Sequence, residues 1–243
     1  MIISHEYKFI FVKTRKTAGT TISRYLSSFC KNTDIVANIG DEFSDKSCND
    51  KGFFNPLPEI LKYPIILTKE KRPYLVSSRN PLKDFYRQII FHNHLPAYQI
   101  RERIGHKIWN EYFKFCFDRN PWDKAISYYF YLNRKTPQPF SNFDDFLKRY
   151  SSFCWNYPIY TNPWNEEEIL VDYIAKYENL SEELQKICER IGIPFNEALI
   201  TEKTANNDSR KDKSHYRDFL SIPQADKIAN ILKTEIKLLN YKF

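Results

Sequence analysis

The chain of 243 residues is 42% apolar and holds 19 Phe, 17 Tyr and 4 Trp, enough for a core, so wholesale disorder is excluded. No apolar run reaches about 18 residues, which excludes a transmembrane helix. The 37 Lys and Arg against 30 Asp and Glu leave a net charge of +7, favouring an anionic partner such as a nucleotide, a nucleic acid or an acidic substrate. A single domain over residues 1–243 is expected, because single cores grow to about 250 residues before chains divide. The start, MIISHEYKFIFVK, has neither a basic-then-apolar leader nor a small-residue cleavage site. The expectation is a soluble, cytoplasmic protein with no membrane anchor. Cys30, Cys48, Cys116, Cys154 and Cys188 are odd in number and far apart, which fits neither a disulfide framework nor a zinc knuckle.

Taken in chain order, residues 7–13 (YKFIFVK) read as a buried strand. The polar stretch KTRKTAGTT follows, and Ile22, Tyr25, Leu26 and Phe29 then recur at helical spacing. Residues 31–60 are irregular and read as a surface excursion, with a short strand at 64–68 after it. Residues 97–113 carry Ile100, Ile104, Ile108 and Tyr112 on one helical face, and 113–119 (FKFCFDR) read as a third strand. A helix is expected from Asp123, another at 143–150, a loop at 151–165 and a strand at 169–175. The helix expected at 181–192 takes Ser181 as an imperfect capping-box residue and Gly192 as its C-cap. A charged loop at 201–214 precedes a last helix from Ile222 to about Leu239. Strands alternating with helices imply an α/β domain, a parallel β-sheet flanked by helices.

Lys13 to Thr21 sits between the first strand and the first helix. It combines three cations, threonines at 17, 20 and 21, and one of only five glycines in the chain, at 19. Backbone N–H groups at a helix start form an anion site, and in parallel α/β sheets ligands bind beyond the carboxyl ends of strands. The loop is not of the Walker A type, since Lys16 precedes Gly19 rather than following a second glycine. A second motif, Arg119-Asn120-Pro121, ends the third strand, with Ser127 eight residues beyond Arg119. An Arg fork and a helical hydroxyl at this spacing can converge on one phosphate. His92 and His94 precede the helix at 97–113; either is a natural base near neutral pH, and H-x-H is also half a metal site, though nothing nearby completes one.

The order strand, K-T-x-G-T-[ST], helix resembles the first nucleotide motif of sulfotransferases that use 3′-phosphoadenosine-5′-phosphosulfate (PAPS). R-N-P-x-x-[KR]-x-x-S-x-Y resembles their 3′-phosphate motif. The stretch from His94-Leu95-Pro96-Ala97 through Arg119-Asn120-Pro121 resembles the carbohydrate sulfotransferases of the heparan-sulfate 2-O and related microbial type. Tyr177-Glu178-Asn179-Leu180 and the ending from Ile236 resemble the same family, so the likeness spans 7–243. It implies a P-loop-like sulfotransferase fold in which Lys16, Thr17, Ala18, Gly19, Thr20 and Thr21 hold the 5′-phosphosulfate. Lys16 also supports transfer, and Arg119 and Ser127 bind the 3′-phosphate. His94 fits best as the catalytic base, with His92 second; some sulfotransferases use a Glu instead. The implied partner is a hydroxyl-bearing acceptor, a glycan rather than a nucleic acid, with no metal required, in a microbial or viral protein. Asn207 to Lys211 lie where family members complete the nucleotide pocket, whereas Ser78-Arg79-Asn80-Pro81 lacks the partnering Ser and reads as a decoy. Arg15 stands where a Pro is common, and Ala18 replaces the first of two glycines. Two other classes share these features: a Mg²⁺- and ATP-dependent phosphotransferase, and a non-catalytic binder of polyanions.

Overall fold

The phenylalanine-rich runs of the sequence form the middle of one sheet. The computed structural model describes residues 1–37, 91–135, 140–149, 155–201, 212 and 214–243. Its main sheet contains Ile2–Ser4 (β1), Phe9–Phe11 (β2), Ile35–Val36 (β3), Phe113–Asp118 (β4) and Tyr173–Lys176 (β7), in the order β3-β1-β2-β4-β7. Strands β2, β4 and β7 are parallel, with Phe9 opposite Phe113 and Phe115 opposite Tyr173. Alternate residues serve opposite faces. Ile10, Val12 and Cys116 join one buried cluster, and Phe9, Phe11, Phe115 and Phe117 join another. Burial on both faces is why these strands read as continuous apolar runs rather than alternating ones. Each buried Phe contributes about 1.5–3 kcal/mol relative to an exposed one.

The α/β architecture expected from the sequence is therefore present, with an antiparallel addition. Strand β1 pairs antiparallel with β2 and with β3, so part of the expected surface excursion at 31–60 is a buried edge of the sheet. A second, two-stranded sheet is made by Thr161–Asn162 (β5) and Asn165–Ile169 (β6). The strand expected at 169–175 is thus two strands, separated at residues 170–172.

The helices differ from expectation at their ends. The helix expected at 97–113 is two, Ala97–Ile104 (α2) and His106–Glu111 (α3), broken at Gly105, whose φ of 83° belongs to neither. Pro121–Lys135 (α4) starts at the proline, not at Asp123, because proline's fixed φ suits a first helical turn. Phe143–Arg149 (α5) lies where a helix was expected, whereas the expected loop at 151–165 contains the short helix Tyr157–Tyr160 (α6) and β5. Leu180–Ile191 (α7) is capped at its C-terminus by left-handed Gly192, as expected. Its N-cap is Asn179 rather than Ser181, whose hydroxyl donates to Glu197. After Ala198–Thr201 (α8) and Tyr216–Phe219 (α9), the expected last helix divides at Leu232 into Ile222–Ile231 (α10) and Lys233–Leu239 (α11). Ser221 and Gln224 form a capping box on α10. The expected strand at 64–68 and the sequence Ser78-Arg79-Asn80-Pro81 lie outside the described residues, as do Asn207 to Lys211.

Candidate active site

Parallel pairing of β2 with β4 and of β4 with β7 brings three strand ends side by side, and each sends one group into a common cavity of about 480 Å³. From β2 the chain runs through Lys13–Ala18 into Gly19–Ser27 (α1). Lys16 and Ala18 are both left-handed, with φ of 62° and 55°. Such positions cost about 1–3 kcal/mol each for non-glycine residues and persist where the surroundings over-determine them. Successive N–H groups in such a turn gather into a concave anion nest. Ala18 is the N-cap of α1 and offers no side-chain acceptor, and the first turn contains no acidic residue. No side chain of the cap or first turn therefore competes with an anion for the positive dipole end of α1. Gly19 is needed for close approach: a Cβ there would stand 2.9 Å from Lys13 Cγ and 3.0 Å from its Cε. The Thr14 and Thr17 hydroxyls are 2.9 Å apart, and Thr14 also donates to the Phe117 carbonyl, which ties the loop to β4.

The end of β4 contributes Arg119, and α4 contributes Ser127. The Arg119 fork is engaged on several sides. It meets Asp123 through Nε at 2.7 Å and Nη2 at 2.6 Å, and Nη1 donates to the Lys16 carbonyl at 3.2 Å. Its guanidinium lies 4.2 Å from the Tyr177 ring centroid. Tyr177 directly follows β7, so the third strand end supplies the flat wall on which Arg119 stacks. Glu178 accepts from the Asn120 N–H at 2.5 Å and from the Tyr241 hydroxyl at 3.1 Å, which links the Arg119 turn to the chain beyond α11.

His94 enters from the segment before α2. Its Nδ1 is 3.0 Å from the Lys13 carbonyl oxygen. A carbonyl only accepts, so Nδ1 carries the hydrogen and Nε2 of the neutral ring keeps its lone pair. Burial, and then the charges of Arg15 and Lys13, hold the imidazole well below the usual histidine range, in its neutral form. His94 is itself left-handed, with φ of 64°. His92 does not line this cavity among the described residues; its Nδ1 is 2.8 Å from the neighbouring Asn93 carbonyl.

Lys16, Thr17, Ala18, Gly19, Thr20, Thr21, Arg119, Ser127 and His94 thus share one cavity, although they come from three distant stretches of sequence. Lys13, Arg15, Lys16 and Arg119 line it, and no carboxylate does so among the described residues. Sequence reasoning missed Tyr131, and it placed Tyr177 in a stretch of family resemblance without giving it a role in the site. The Lys16 ammonium sits 4.5 Å from the Tyr131 ring centroid. Tyr131 lies four residues beyond Ser127, on the same face of α4, a spacing visible in the sequence. Among the described residues no three His, Cys, Asp or Glu side chains gather as a metal site, and no helix is long and apolar enough to cross a membrane.

The donor set of this cavity, backbone amides, hydroxyls and cations, fits a phosphorylated or sulfated ligand. An uncharacterized protein of Archaeoglobus fulgidus is 37% identical over 120 residues, which are 48% of this chain and 98% of that relative. Among solved structures, mouse sulfotransferase SULT7A1 complexed with PAP matches 64% of this chain and 71% of its own at 15% identity, with a TM-score of 0.37. The family model described as "Sulfotransferase family" matches residues 1–242, which takes in β1 to α11 and every residue of the cavity. On that match, the chain belongs to the sulfotransferase family.

Proposed function

We propose that this sulfotransferase moves a sulfuryl group from PAPS to an acceptor hydroxyl, with His94 as general base and a carbohydrate as the acceptor. The observation that carries the reading is one cavity that gathers the turn at residues 13–21, Arg119 with Ser127, and the His94 imidazole, with no carboxylate among its described walls. When bound, PAPS supplies an activated sulfuryl group on a phosphate leaving group. The chain's own residues do the rest. The amides of residues 16–21 and the Lys16 ammonium stabilise negative charge that grows on the leaving phosphate, an electrostatic role of the oxyanion-hole kind. Arg119 and Ser127 hold the 3′-phosphate, for which Arg119 must share its fork with Asp123. Nε2 of His94 accepts the acceptor's proton, while its Nδ1–H stays on the Lys13 carbonyl and fixes the ring. The carbohydrate acceptor rests on the resemblance of the stretch from His94 to Arg119.

The test is transfer of label from PAPS carrying radioactive sulfur to a panel of polysaccharides, simple sugars and phenols. Label is expected in a hydroxyl acceptor, and a sugar is expected to exceed a phenol. Transfer of the γ-phosphate of ATP, with none from PAPS to any member of the panel, would overturn the reading. His92→Ala in the same assay separates the two histidines: a larger loss there than in His94→Ala would exchange their roles.

A further inference from the structure

Behind the phosphate-binding loop lies a polar cluster with no exposure to solvent, and one side chain joins the two. Lys124 at 0% exposure donates to Asp118 Oδ1 at 3.0 Å and to Glu235. Tyr160 donates to Asp118 Oδ2 at 2.9 Å. Glu235 in turn accepts from the backbone N–H groups of Asn156 and Tyr157. Asn156 is the N-cap residue of α6, a position where Asn ordinarily turns its side chain back onto its own helix. It does not do so here. Instead its Oδ1 accepts from the Arg15 N–H at 2.8 Å, and its Nδ2 donates to the Arg15 carbonyl at 3.1 Å and to Asp118 at 2.8 Å.

We propose that Asn156 is the positioning residue of the phosphate-binding loop: it clasps both backbone polar groups of Arg15 and fastens them to the buried Asp118–Lys124–Glu235 cluster. The proposal rests on the reading that this loop holds the sulfuryl donor. A carboxamide can accept from the Arg15 N–H while its two amide hydrogens serve the Arg15 carbonyl and Asp118, a combination that a hydroxyl or a carboxylate does not offer. Arg15 immediately precedes left-handed Lys16, and a strained backbone persists only where its neighbours are held. The clasp is therefore placed where loosening would let Lys16 and the nest amides spread. Asp118 also accepts from the Arg119 N–H at 2.8 Å, so the same carboxylate sets both anion-holding turns.

Hydrogen exchange and binding of 3′,5′-adenosine bisphosphate test the clasp together, with Tyr160→Phe as the comparison. That variant removes a different hydrogen bond to the same Asp118 carboxylate. Asn156→Ala is expected to speed exchange of a peptide covering 14–19 in the unliganded protein and to raise the Kd for the bisphosphate at least tenfold. Tyr160→Phe is expected to leave both within twofold. Unchanged exchange at 14–19, an unchanged Kd, or equal effects in Tyr160→Phe would each overturn the clasp. Should Asn156→Ala fail to fold, Asn156→Gln and Asn156→Asp decide. Gln keeps a group that both donates and accepts, so it is expected to bind at least fivefold more tightly than Asp; equal affinities overturn the clasp. If the wild type binds no bisphosphate, the donor reading fails by itself, while the exchange comparison still decides whether Asn156 holds the loop.

Discussion

Two side chains in the cavity carry displaced ionisation with opposite uses. His94 is held neutral by burial and by the neighbouring cations, so its Nε2 stays available as pH falls through the ordinary histidine range. The expected outcome is a kcat that does not halve between pH 7 and 6, whereas an ordinary histidine base would lose activity there. His94→Ala is expected to lower kcat by about 10²–10⁴ with bisphosphate affinity within a few-fold of wild type. Equal losses in kcat and donor affinity would move His94 from base to donor contact. Lys13 is pushed down to about 8, mainly by burial and then by the Arg24 charge. Its folded value lies below the ordinary 10.5, so the unfolded chain holds more protons between about pH 8 and 10.5, and stability from this group rises with pH there. A bound phosphate favours the protonated ammonium, so affinity for 3′,5′-adenosine bisphosphate is expected to fall as pH passes above about 8. Titration calorimetry across pH 7–9.5 checks this, with Lys13→Met expected to flatten the dependence. The loop itself was legible in the sequence because Lys16, Gly19 and the threonines are contiguous there. The Asn156 clasp was not, because it joins residues 141 positions apart and Asn156 falls in a stretch, 151–165, that reads only as a loop.

At the scale of elements, α4 and α11 meet through Lys124 and Glu235, a buried pair that also reaches β4 through Asp118. Burial pushes the Glu235 carboxyl up to about 7, against the opposing pull of Lys124. A group raised above its unfolded value contributes fully below about pH 4.5 and loses that contribution as pH rises through about 7. Lys124→Met leaves two buried carboxyls without their cation, and losses of about 3–5 kcal/mol are usual when one partner of a buried pair is removed. The expected outcome is a large fall in the urea midpoint at pH 7.5 and a smaller fall at pH 5, where Glu235 takes up a proton. An equal fall at both pH values would mean that Glu235 stays ionised throughout. The sequence marked the elements better than their ends. The apolar face at Ile100, Ile104 and Ile108 was visible, but the break at Gly105 competes with that periodicity and wins through the glycine's positive φ. The apolar run at 169–175 hid two strands for the converse reason, since residues 170–172 include buried Leu170 and Val171 and read as strand though the chain turns there.

Across the whole molecule, the site exists only because of topology. The loop at 13–21, Arg119 with Ser127, and Tyr177 belong to three different strand ends, and parallel pairing in the order β2-β4-β7 alone makes them neighbours. The alternation of strands and helices announced that arrangement, whereas the antiparallel β1 and β3 gave no comparable signal, being three and two residues long. A ligand that spans those strand ends binds the folded state and not the unfolded chain, so it stabilises by about 2.7 kcal/mol at a hundredfold excess over Kd. For a chain of this size each kcal/mol moves Tm by about 2–4 °C. The expectation is a rise of roughly 5–10 °C with 3′,5′-adenosine bisphosphate at that excess. ADP at the same concentration is expected to raise Tm much less, because it carries nothing for Arg119 and Ser127 to hold. Ser127→Ala is the sharper variant for this comparison, since Arg119 also donates to the Lys16 carbonyl and its loss would disturb the turn at residues 13–21 as well. The Ser127 variant should narrow the gap between the two nucleotides while leaving the small ADP shift in place. Equal shifts for ADP and the bisphosphate in the wild type would mean that the second anion-holding turn binds no phosphate, and the three strand ends would then converge on a smaller ligand than PAPS.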